Sequence, residues 1–291
     1  MTNKLVSIYL PTHNRSSLLK RAISSVLEQT YDNLELIICD DCSSDDTWNV
    51  IKNFMEQDKR VIGLRNEVPM GACISRNKCI ERATGEYITG LDDDDYFLTD
   101  RIEILIDCIR TKQVSLVCSN LIYKYKDKDL VGERYSGMIN KNDIGYRNIV
   151  GNQIFALTSL FKKVNGFDVN APAWQDYDLW FRLINSYGPC YRVKTPTYVM
   201  DISHDLERIT TSSKAYQGYK YFLQKHKSNL KWSQINNLYL EDLKNRGDEV
   251  RISDVVAHLN CYGVISYTKY LLKEKIPILR RFIENIKMKK I

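Results

Sequence analysis

The chain has 291 residues, 44% of them hydrophobic and 27% charged, and its formal net charge is +6 at pH 7. This is enough for one large α/β domain with an extension or for two modest domains, and a sizeable core can form. The longest apolar run, at residues 34–39, contains Glu35 and is far too short to span a bilayer, and the first residues lack the hydrophobic segment of a signal peptide. We therefore expect a cytoplasmic protein without a membrane span.

Short β-branched runs alternate with amphipathic segments along the first hundred residues, as in a parallel sheet with helical crossovers. Strands are predicted at residues 6–10, 34–39, 61–64, 87–91 and 114–125, and helices at 18–27, from 44, at 72–83 and at 100–111. The polar segment 126–141 predicts a hairpin or a mobile loop. Strand and helix patterns resume at 151, and residues 211–291 are predicted to be mostly helical. The fold class is therefore α/β, with a Rossmann-like, mostly parallel central sheet flanked by helices and a helical C-terminal extension.

Polar residues follow three of the predicted strands, at 11–15, 40–44 and 92–95. The carboxyl ends of parallel strands share one crevice, so these segments are expected to meet there. Four consecutive aspartates at 92–95 repel one another unless a hard cation neutralises part of their charge, which indicates Mg²⁺ or Mn²⁺. The alternative is a solvated acidic loop, or a charge cluster stabilising the helix that Thr99 opens.

The chain contains neither GxxxxGK[ST] nor GxGxxG, which argues against a P-loop enzyme and a dinucleotide-dependent dehydrogenase. Two other classes stay open at this point. A metal-dependent nucleotidyltransferase or other nucleotide-sugar enzyme also places acids at the strand ends of such a sheet. A nucleic-acid-binding module would use the basic C-terminal segment, although no motif for nucleic acid is present and the charge is confined to one end.

Four motifs in this order resemble family 2 of the glycosyltransferases, which have the GT-A fold. They are VSIYLPTHNR at 6–15, ICDDCSS at 38–44, GEYITGLDDDD at 85–95 and WQDYDLWFR at 174–182. The resemblance covers roughly residues 4–205. It implies a GT-A domain at 1–210, with a nucleotide-binding half at about 1–125 and an acceptor half at about 126–210, followed by a helical region at 211–291.

The resemblance implies a nucleotide pocket lined by Pro11, His13 and Arg15, with Asp41 accepting a hydrogen bond from the base. The alternative role for Asp41 is to cap the helix or turn that begins at Ser43 and Ser44.

The acidic run resembles the family's DxD motif, although four aspartates leave its register ambiguous by one residue. Asp94 is the better match for the metal ligand, with Asp92, Asp95 and His204 as second choices, while Asp92 and Asp93 are expected to bind the nucleotide sugar.

Asp176 matches the family's catalytic base, in a segment where Gln175 replaces the more common glutamate. The alternative role for Asp176 is stabilisation of a helix N-terminus. Trp174 and Gln175 are candidates for acceptor contacts, and Arg208, with His204, is a candidate for gripping the diphosphate. A single displacement by an acceptor hydroxyl would invert the anomeric configuration.

The resemblance extends to bacterial enzymes of O-antigen and surface-polysaccharide synthesis, and it implies the reaction partners. These are a UDP-sugar donor, with glucose or galactose transferred, and an N-acetylhexosamine acceptor on undecaprenyl diphosphate; nucleic acid is not expected. Residues 269–291 combine eight basic with two acidic residues among apolar ones. They predict a basic amphipathic helix on the inner face of the cytoplasmic membrane or, alternatively, one packed on its own domain.

Overall fold

The computed structural model describes residues 3–132, 135–203 and 214–246. The predictions for His204, Arg208 and the basic tail at 269–291 lie outside these residues. Within the described ranges, no helix combines the length and the apolar character needed to cross a bilayer.

The first four strands form the parallel part of the sheet, and their predicted positions are confirmed. They are β1 (Val6–Thr12), β2 (Leu34–Asp40), β3 (Val61–Arg65) and β4 (Tyr87–Gly90). Their spatial order is β3-β2-β1-β4, and every neighbouring pair among them is parallel. Three helices connect them in chain order, namely α1 (Ser16–Leu27), α2 (Thr47–Gln57) and α3 (Ala72–Arg82). These four strands therefore end at one edge of the sheet, which carries the polar segments noted in the sequence.

The second half of the sheet is mixed. Its strands are β5 (Tyr96–Phe97), β6 (Leu116–Lys124), β7 (Asp129–Val131), β8 (Gly137–Ile139), β9 (Phe155–Leu157) and β10 (Cys190–Asp201). The order continues from β4 as β9-β6-β10-β5, with β7 beside β6 and β8 beside β10. Strand β9 runs antiparallel to both of its neighbours, whereas β6 and β10 are parallel. The strand β7 folds back on β6, so the hairpin predicted as one alternative for 126–141 is present.

Six further helices lie in the described residues. They are α4 (Arg101–Lys112), α5 (Lys141–Ile144), α6 (Thr158–Lys163), α7 (Gln175–Tyr187), α8 (Ala215–His226) and α9 (Trp232–Arg246). Of these, α4 matches the helix predicted at 100–111, and α5 was not predicted. A short 3-10 turn at Lys227–Asn229 separates α8 from α9.

Helix α1 shows how the sheet is covered. Its residues Leu19, Ala22, Ile23 and Val26 recur at the spacing of one helical face and are fully buried. They belong to a core cluster with the apolar side chains of β1 and β2. Each such large side chain contributes roughly 2 kcal/mol by leaving water, so this packing fixes the position of the loop that precedes α1.

Two compact units divide the chain. Among the described residues, the first unit comprises those within Met1–Lys141, Val150–Val169 and Asp178–His204, and it contains the whole sheet. The second comprises those within Asn142–Ile149, Asn170–Tyr177 and Asp205–Ile291. The domain boundary near residue 210 inferred from the sequence stays a prediction.

Candidate active site

The loops that follow β1 and β2 are joined by hydrogen bonds. The Asn14 backbone N–H donates to Ser43 Oγ (2.8 Å), and the Ser44 backbone N–H donates to Asn14 Oδ1 (2.8 Å). Asn14 has φ 52°, a left-handed conformation that asparagine tolerates better than most residues. The sequence segments at 11–15 and 40–44 are thus brought together, as predicted.

His13 lies at this junction and is exposed. Its Nδ1 is 2.8 Å from the Asp41 carbonyl oxygen. Since a carbonyl oxygen only accepts, Nδ1 carries the proton, and Nε2 then accepts from Asn14 Nδ2 at 2.9 Å. Pro11 is buried in β1 opposite Cys39 of β2, so it shapes the strand end from within the sheet.

The Asp41 carboxylate is buried and held by three donors. Asn66 Nδ2 (2.6 Å) and the Met70 backbone N–H (2.8 Å) donate to Oδ1, and the Gly71 backbone N–H donates to Oδ2 (2.8 Å). Burial raises the pKa of Asp41, but these hydrogen bonds outweigh it and the net pKa is lowered. The group is therefore ionised at neutral pH, and Oδ2 retains acceptor capacity for one further N–H donor.

Residues 92–95, here called the acidic turn, follow β4 at the same edge. The side chains alternate in exposure: Asp92 and Asp94 are half-buried, whereas Asp93 is 8% and Asp95 2% exposed. The turn is closed by a hydrogen bond from the Asp95 backbone N–H to the Asp92 carbonyl oxygen (3.1 Å). Asp92 and Asp94 are thus the two members of the run that reach solvent.

Two arginines reduce the repulsion within the acidic turn. Arg15 Nη1 lies 2.6 Å from Asp94 Oδ2 and 3.1 Å from Asp93 Oδ1, and Arg76 Nη2 lies 2.9 Å from Asp92 Oδ1. Burial nevertheless raises the pKa of Asp93 to about 7, against the attraction of Arg15 and with the repulsion of Asp94. Arg15 thus reaches the acidic turn from the loop that the sequence assigned to the nucleotide pocket.

Asp95 is an anchor for the turn. Its carboxylate accepts from the Asp201 backbone N–H (2.9 Å), Tyr198 Oη (2.8 Å) and Asn152 Nδ2 (3.1 Å). Burial and the neighbouring carboxylates raise its pKa well above the ordinary value. These surroundings favour the Asp92-x-Asp94 register of the DxD motif over one that uses Asp95.

A second brace runs from α1 to the end of β10. Arg21 Nη1 contacts Asp201 Oδ2 and Arg21 Nη2 contacts the Asp94 carbonyl oxygen, both at 2.5 Å, and its guanidinium lies over the Tyr96 ring. Although burial acts in the opposite direction, hydrogen bonds from Ser203 and Arg21 lower the pKa of Asp201 to about 2. The Asp94 carbonyl is therefore held by an arginine whose own position is fixed by an ion pair with Asp201.

The acidic turn fits a divalent cation of the Mg²⁺ or Mn²⁺ type. Among the residues that the structure describes, no group of three or more His, Cys, Asp and Glu side chains is arranged to hold a metal alone. Two half-buried carboxylates, Asp92 and Asp94, lie in one turn, each paired with an arginine. Mg²⁺ commonly takes one or two carboxylates and completes its shell with water and substrate phosphate, so the donor set matches a cation that arrives with a diphosphate.

Asp176 lies in the first turn of α7 and is half-buried, in the second unit. Trp174, immediately before the helix, has φ 60°, which is rare for a bulky residue and marks a strained backbone. Its ring packs on Tyr177, Tyr219 and Phe222, with centroids 5.6–5.8 Å away. Gln175 Nε2 donates to the Ala171 carbonyl oxygen (3.1 Å). The start of α7, and with it Asp176, is thus set in an aromatic cluster.

Several residues of these networks were missed in the sequence. Asp201 ends a strand just as Asp40 does, so the strand-end argument would have found it. Arg21 and Arg76 carry no comparable signal, because an arginine on an amphipathic helix is ordinarily solvated.

Comparison with known proteins gives consistent results. The pattern of glycosyl transferase family 2 matches residues 7–164. WcaA of Escherichia coli (strain K12), a candidate glycosyl transferase of colanic acid biosynthesis, is 38% identical over 237 residues, covering 77% of this chain and 82% of WcaA. The UDP-Glc:alpha-D-GlcNAc-diphosphoundecaprenol beta-1,3-glucosyltransferase WfaP of Escherichia coli is 40% identical over 128 residues, covering 44% of this chain and 49% of WfaP.

The fold is shared with TarS residues 1–349 of S. aureus, solved in complex with UDP-GlcNAc. The TM-score is 0.67 with 14% sequence identity, over 88% of this chain and 76% of that one. This likeness confirms the predicted GT-A architecture with its central sheet flanked by helices. From the family match and the extended similarity to WcaA, the chain belongs to glycosyl transferase family 2.

Proposed function

We propose that the chain is an inverting, metal-dependent hexosyltransferase of O-antigen or related surface-polysaccharide synthesis. It takes glucose or galactose from a UDP-sugar and transfers it to an N-acetylhexosamine carried on undecaprenyl diphosphate. The observation that carries this proposal is that the loop after β1 is joined both to the Asp41 loop, through Asn14, and to the acidic turn, through Arg15, at one edge of a GT-A sheet. The names of relatives such as WfaP, which describe glucosyl transfer from UDP-Glc to a diphosphoundecaprenol-linked GlcNAc, support the donor and the acceptor.

Asp41 is proposed to read the base. Its carboxylate is held by Asn66 and by the 70–71 backbone and is ionised at neutral pH. An imide N–H such as that of uracil is a suitable donor for the remaining lone pair of Oδ2. Because the three existing donors fix the carboxylate, little ordering is needed when the nucleotide binds.

Asp92 and Asp94 are proposed to hold the cation together with the donor diphosphate. A bound Mg²⁺ or Mn²⁺ supplies charge stabilisation for the departing diphosphate. Arg15 and Arg76 keep the two carboxylates oriented and lower their mutual repulsion. Asp93 and Asp95 are buried and are proposed to stabilise the turn.

Asp176 is proposed to act as the base. It takes the proton of an acceptor hydroxyl while that oxygen forms the bond to the anomeric carbon, and the bond from this carbon to the diphosphate breaks. One displacement inverts the configuration and requires no protein nucleophile. The aromatic cluster around Trp174 holds the first turn of α7, which limits the motion of Asp176.

Release of UDP from a panel of UDP-sugars tests the proposal, with Mn²⁺ or Mg²⁺ and an N-acetylglucosaminyl diphospholipid as acceptor. We expect Asp176→Asn to lower kcat about a hundredfold or more while leaving the donor KM nearly unchanged, since removing a general base typically has this effect. Asp94→Ala is expected to abolish metal-dependent binding of the UDP-sugar.

Asp107→Asn provides the matched control, because Asp107 is an exposed aspartate on α4. It should keep full activity. Failure of the intact protein to bind any UDP-sugar would refute the proposed donor, whereas binding without turnover would refute the proposed acceptor.

A further inference from the structure

The second unit presents a basic surface with an exposed tryptophan. Residues 214–240 include five lysines and no aspartate or glutamate, although 36 of the 291 residues in the chain are acidic. Three of these lysines, Lys225, Lys227 and Lys231, lie with Trp232 where α8 ends and α9 begins. We call residues 225–232 the Lys-Trp turn.

The three lysines and the tryptophan are exposed, whereas most of the large apolar residues of α8 and α9 are buried or half-buried. Ala215, Tyr219, Phe222 and Leu238 are buried, whereas Lys225, Lys227 and Lys231 are exposed. Trp232 is 61% exposed, the most of any large hydrophobic side chain in the described residues. Packing of α8 and α9 therefore does not account for the tryptophan.

Helix electrostatics explain only part of the cluster. Lys225 and Lys227 lie at the C-terminal end of α8, where positive charge is stabilising. Lys231 and Trp232 stand instead at the start of α9, where a cation is unfavourable and an exposed indole gains nothing from the helix. Lys231 Nζ does donate to the neutral Asn142 Oδ1 at 2.8 Å, so the exposed indole of Trp232 is the feature that a partner outside the chain would explain.

We propose that the Lys-Trp turn binds the surface of an anionic lipid bilayer. Lysines near such a surface each contribute about 1 kcal/mol, and tryptophan prefers the depth of the headgroups. The choice of a bilayer over another polyanion rests on the proposed function, whose acceptor is a membrane lipid. The Lys-Trp turn is distinct in sequence from the basic tail predicted at 269–291.

Co-sedimentation of the full-length protein with vesicles tests this inference. The vesicles contain either phosphatidylcholine alone or phosphatidylcholine with phosphatidylglycerol, at equal ionic strength. The triple variant Lys227→Gln/Lys231→Gln/Trp232→Gln should bind the anionic vesicles at least tenfold more weakly than the parent chain, as expected for two lysines at about 1 kcal/mol each. Added salt should reduce binding of the parent chain.

A matched variant removes similar groups from the first unit. Lys52, Met55 and Lys59 are exposed on or beside α2, so Lys52→Gln/Met55→Gln/Lys59→Gln lowers the charge equally and removes one exposed apolar side chain. It should bind vesicles like the parent chain. Tryptophan emission should shift to shorter wavelength on anionic vesicles, and Trp232→Phe should lose this shift.

Equal vesicle binding by the triple variant and the control variant would overturn the inference. So would a triple variant that keeps its vesicle binding and loses binding of single-stranded RNA. Turnover of a UDP-sugar with a water-soluble acceptor analogue separates the two proposals. The triple variant should turn over normally there, and if no chain turns over, the proposed function fails while the vesicle result stands.

Discussion

Asp92 and Asp94 are more exposed than Asp93 and Asp95 because the chain forms a turn over residues 92–95. A hydrogen bond from Asp95 N–H to the Asp92 carbonyl closes the turn. The Asp95 carboxylate accepts three hydrogen bonds, two of them from β10 and one from Asn152. Burying two of four adjacent carboxylates is unfavourable by itself, and their raised pKa values record that cost. The arrangement leaves two alternate carboxylates for a ligand.

At this scale we predict that Arg21 and Asp201 act as positioning residues for the proposed transfer. Arg21→Gln should lower kcat/KM roughly ten- to hundredfold, because the ion pair fixes the backbone of Asp94 and small misplacements at a reacting centre have effects of this size. Asp201→Asn should act similarly. Titration with Mn²⁺ at fixed UDP-sugar should show weaker donor binding in both variants.

Arg110→Gln is the matched control, since Arg110 is an exposed arginine that pairs with the exposed Asp107 at the long distance of 3.9 Å. It should leave both measurements unchanged. A variant of Arg21 that loses thermal stability yet binds donor and Mn²⁺ normally would contradict the positioning role.

The sequence predicted some of these residues and missed others for a physical reason. Four adjacent aspartates after an apolar strand are improbable without a ligand, so the acidic turn stood out. Arg21 acquires its meaning from Asp201, which is 180 residues away in the chain, and no local pattern reports such a pair.

At the scale of the element, β2 carries a buried carboxylate near its N-terminal end, at the end of the sheet opposite the acidic turn. Glu35 is 8% exposed and accepts from Ser7 Oγ (2.6 Å), the Thr84 backbone N–H (2.7 Å) and the Gly85 backbone N–H (3.1 Å). Burial raises its pKa, but these hydrogen bonds prevail and the pKa is lowered overall. Ionised Glu35 thus ties β1, β2 and the turn before β4 together.

We predict that Glu35→Gln lowers the free energy of unfolding by about 2 kcal/mol at pH 7, as expected for hydrogen bonds to a charged group. Because the folded pKa is below the unfolded one, this contribution is complete above the ordinary glutamate pKa and disappears as the pH falls through the folded value. Urea unfolding at pH 7 and at successively lower pH should show the difference between variant and parent shrinking in acid.

Glu86→Gln serves as the control, because Glu86 pairs with Lys4 at the surface. Its effect should be small at every pH. A deficit in Glu35→Gln that stayed constant down to acid pH would show that packing, and not charge, explains the loss.

Helix α8 contains a glycine at which substitution by alanine is expected to destabilise the protein, the opposite of the usual effect in a helix. Gly218 lies where an added Cβ would be 2.7 Å from Ala173 Cβ and 2.8 Å from the Ala173 backbone. Alanine in place of a helical glycine ordinarily stabilises by about 1 kcal/mol, but overpacking against backbone costs about 1–3 kcal/mol. We therefore expect Gly218→Ala to lower the Tm, whereas Gln217→Ala on the exposed face should not.

The elements that were predicted well are those with a long apolar run. Strands β1, β2 and β6 are buried over most of their length, which the hydrophobic pattern shows directly. By contrast β5 and β9 have two and three residues, too few for any periodicity. Their positions are set by hydrogen bonds to strands far away in sequence, so only the three-dimensional structure shows them.

At the scale of the whole molecule, the sheet is completed by its last strand. Strand β10 pairs with β5, β6 and β8, and β9 inserts between β4 and β6. The β3-β2-β1 part of the parallel order follows from the βα rhythm of the sequence, because short right-handed crossovers commonly place consecutive strands side by side, whereas β4 lies beside β1 and not beside β3. The insertion of β9 follows from no local rule, which is why the sequence predicted a mostly parallel sheet without this detail.

The pairing of β10 has a consequence for synthesis of the protein on the ribosome. Asp95 receives the backbone N–H of a residue 106 positions later. At roughly 5–20 residues per second, the ribosome synthesises the acidic turn on the order of ten seconds before Asp201. Stalled chains exposing residues 1–203 should resist protease over the first unit, whereas chains exposing 1–189 should be cleaved; equal resistance would contradict this order of assembly. During that interval β10 has not been synthesised, so Asp95 lacks the hydrogen bonds from Tyr198 and Asp201. The order of translation therefore leaves the acidic turn without its anchor until the last strand of the sheet has been made.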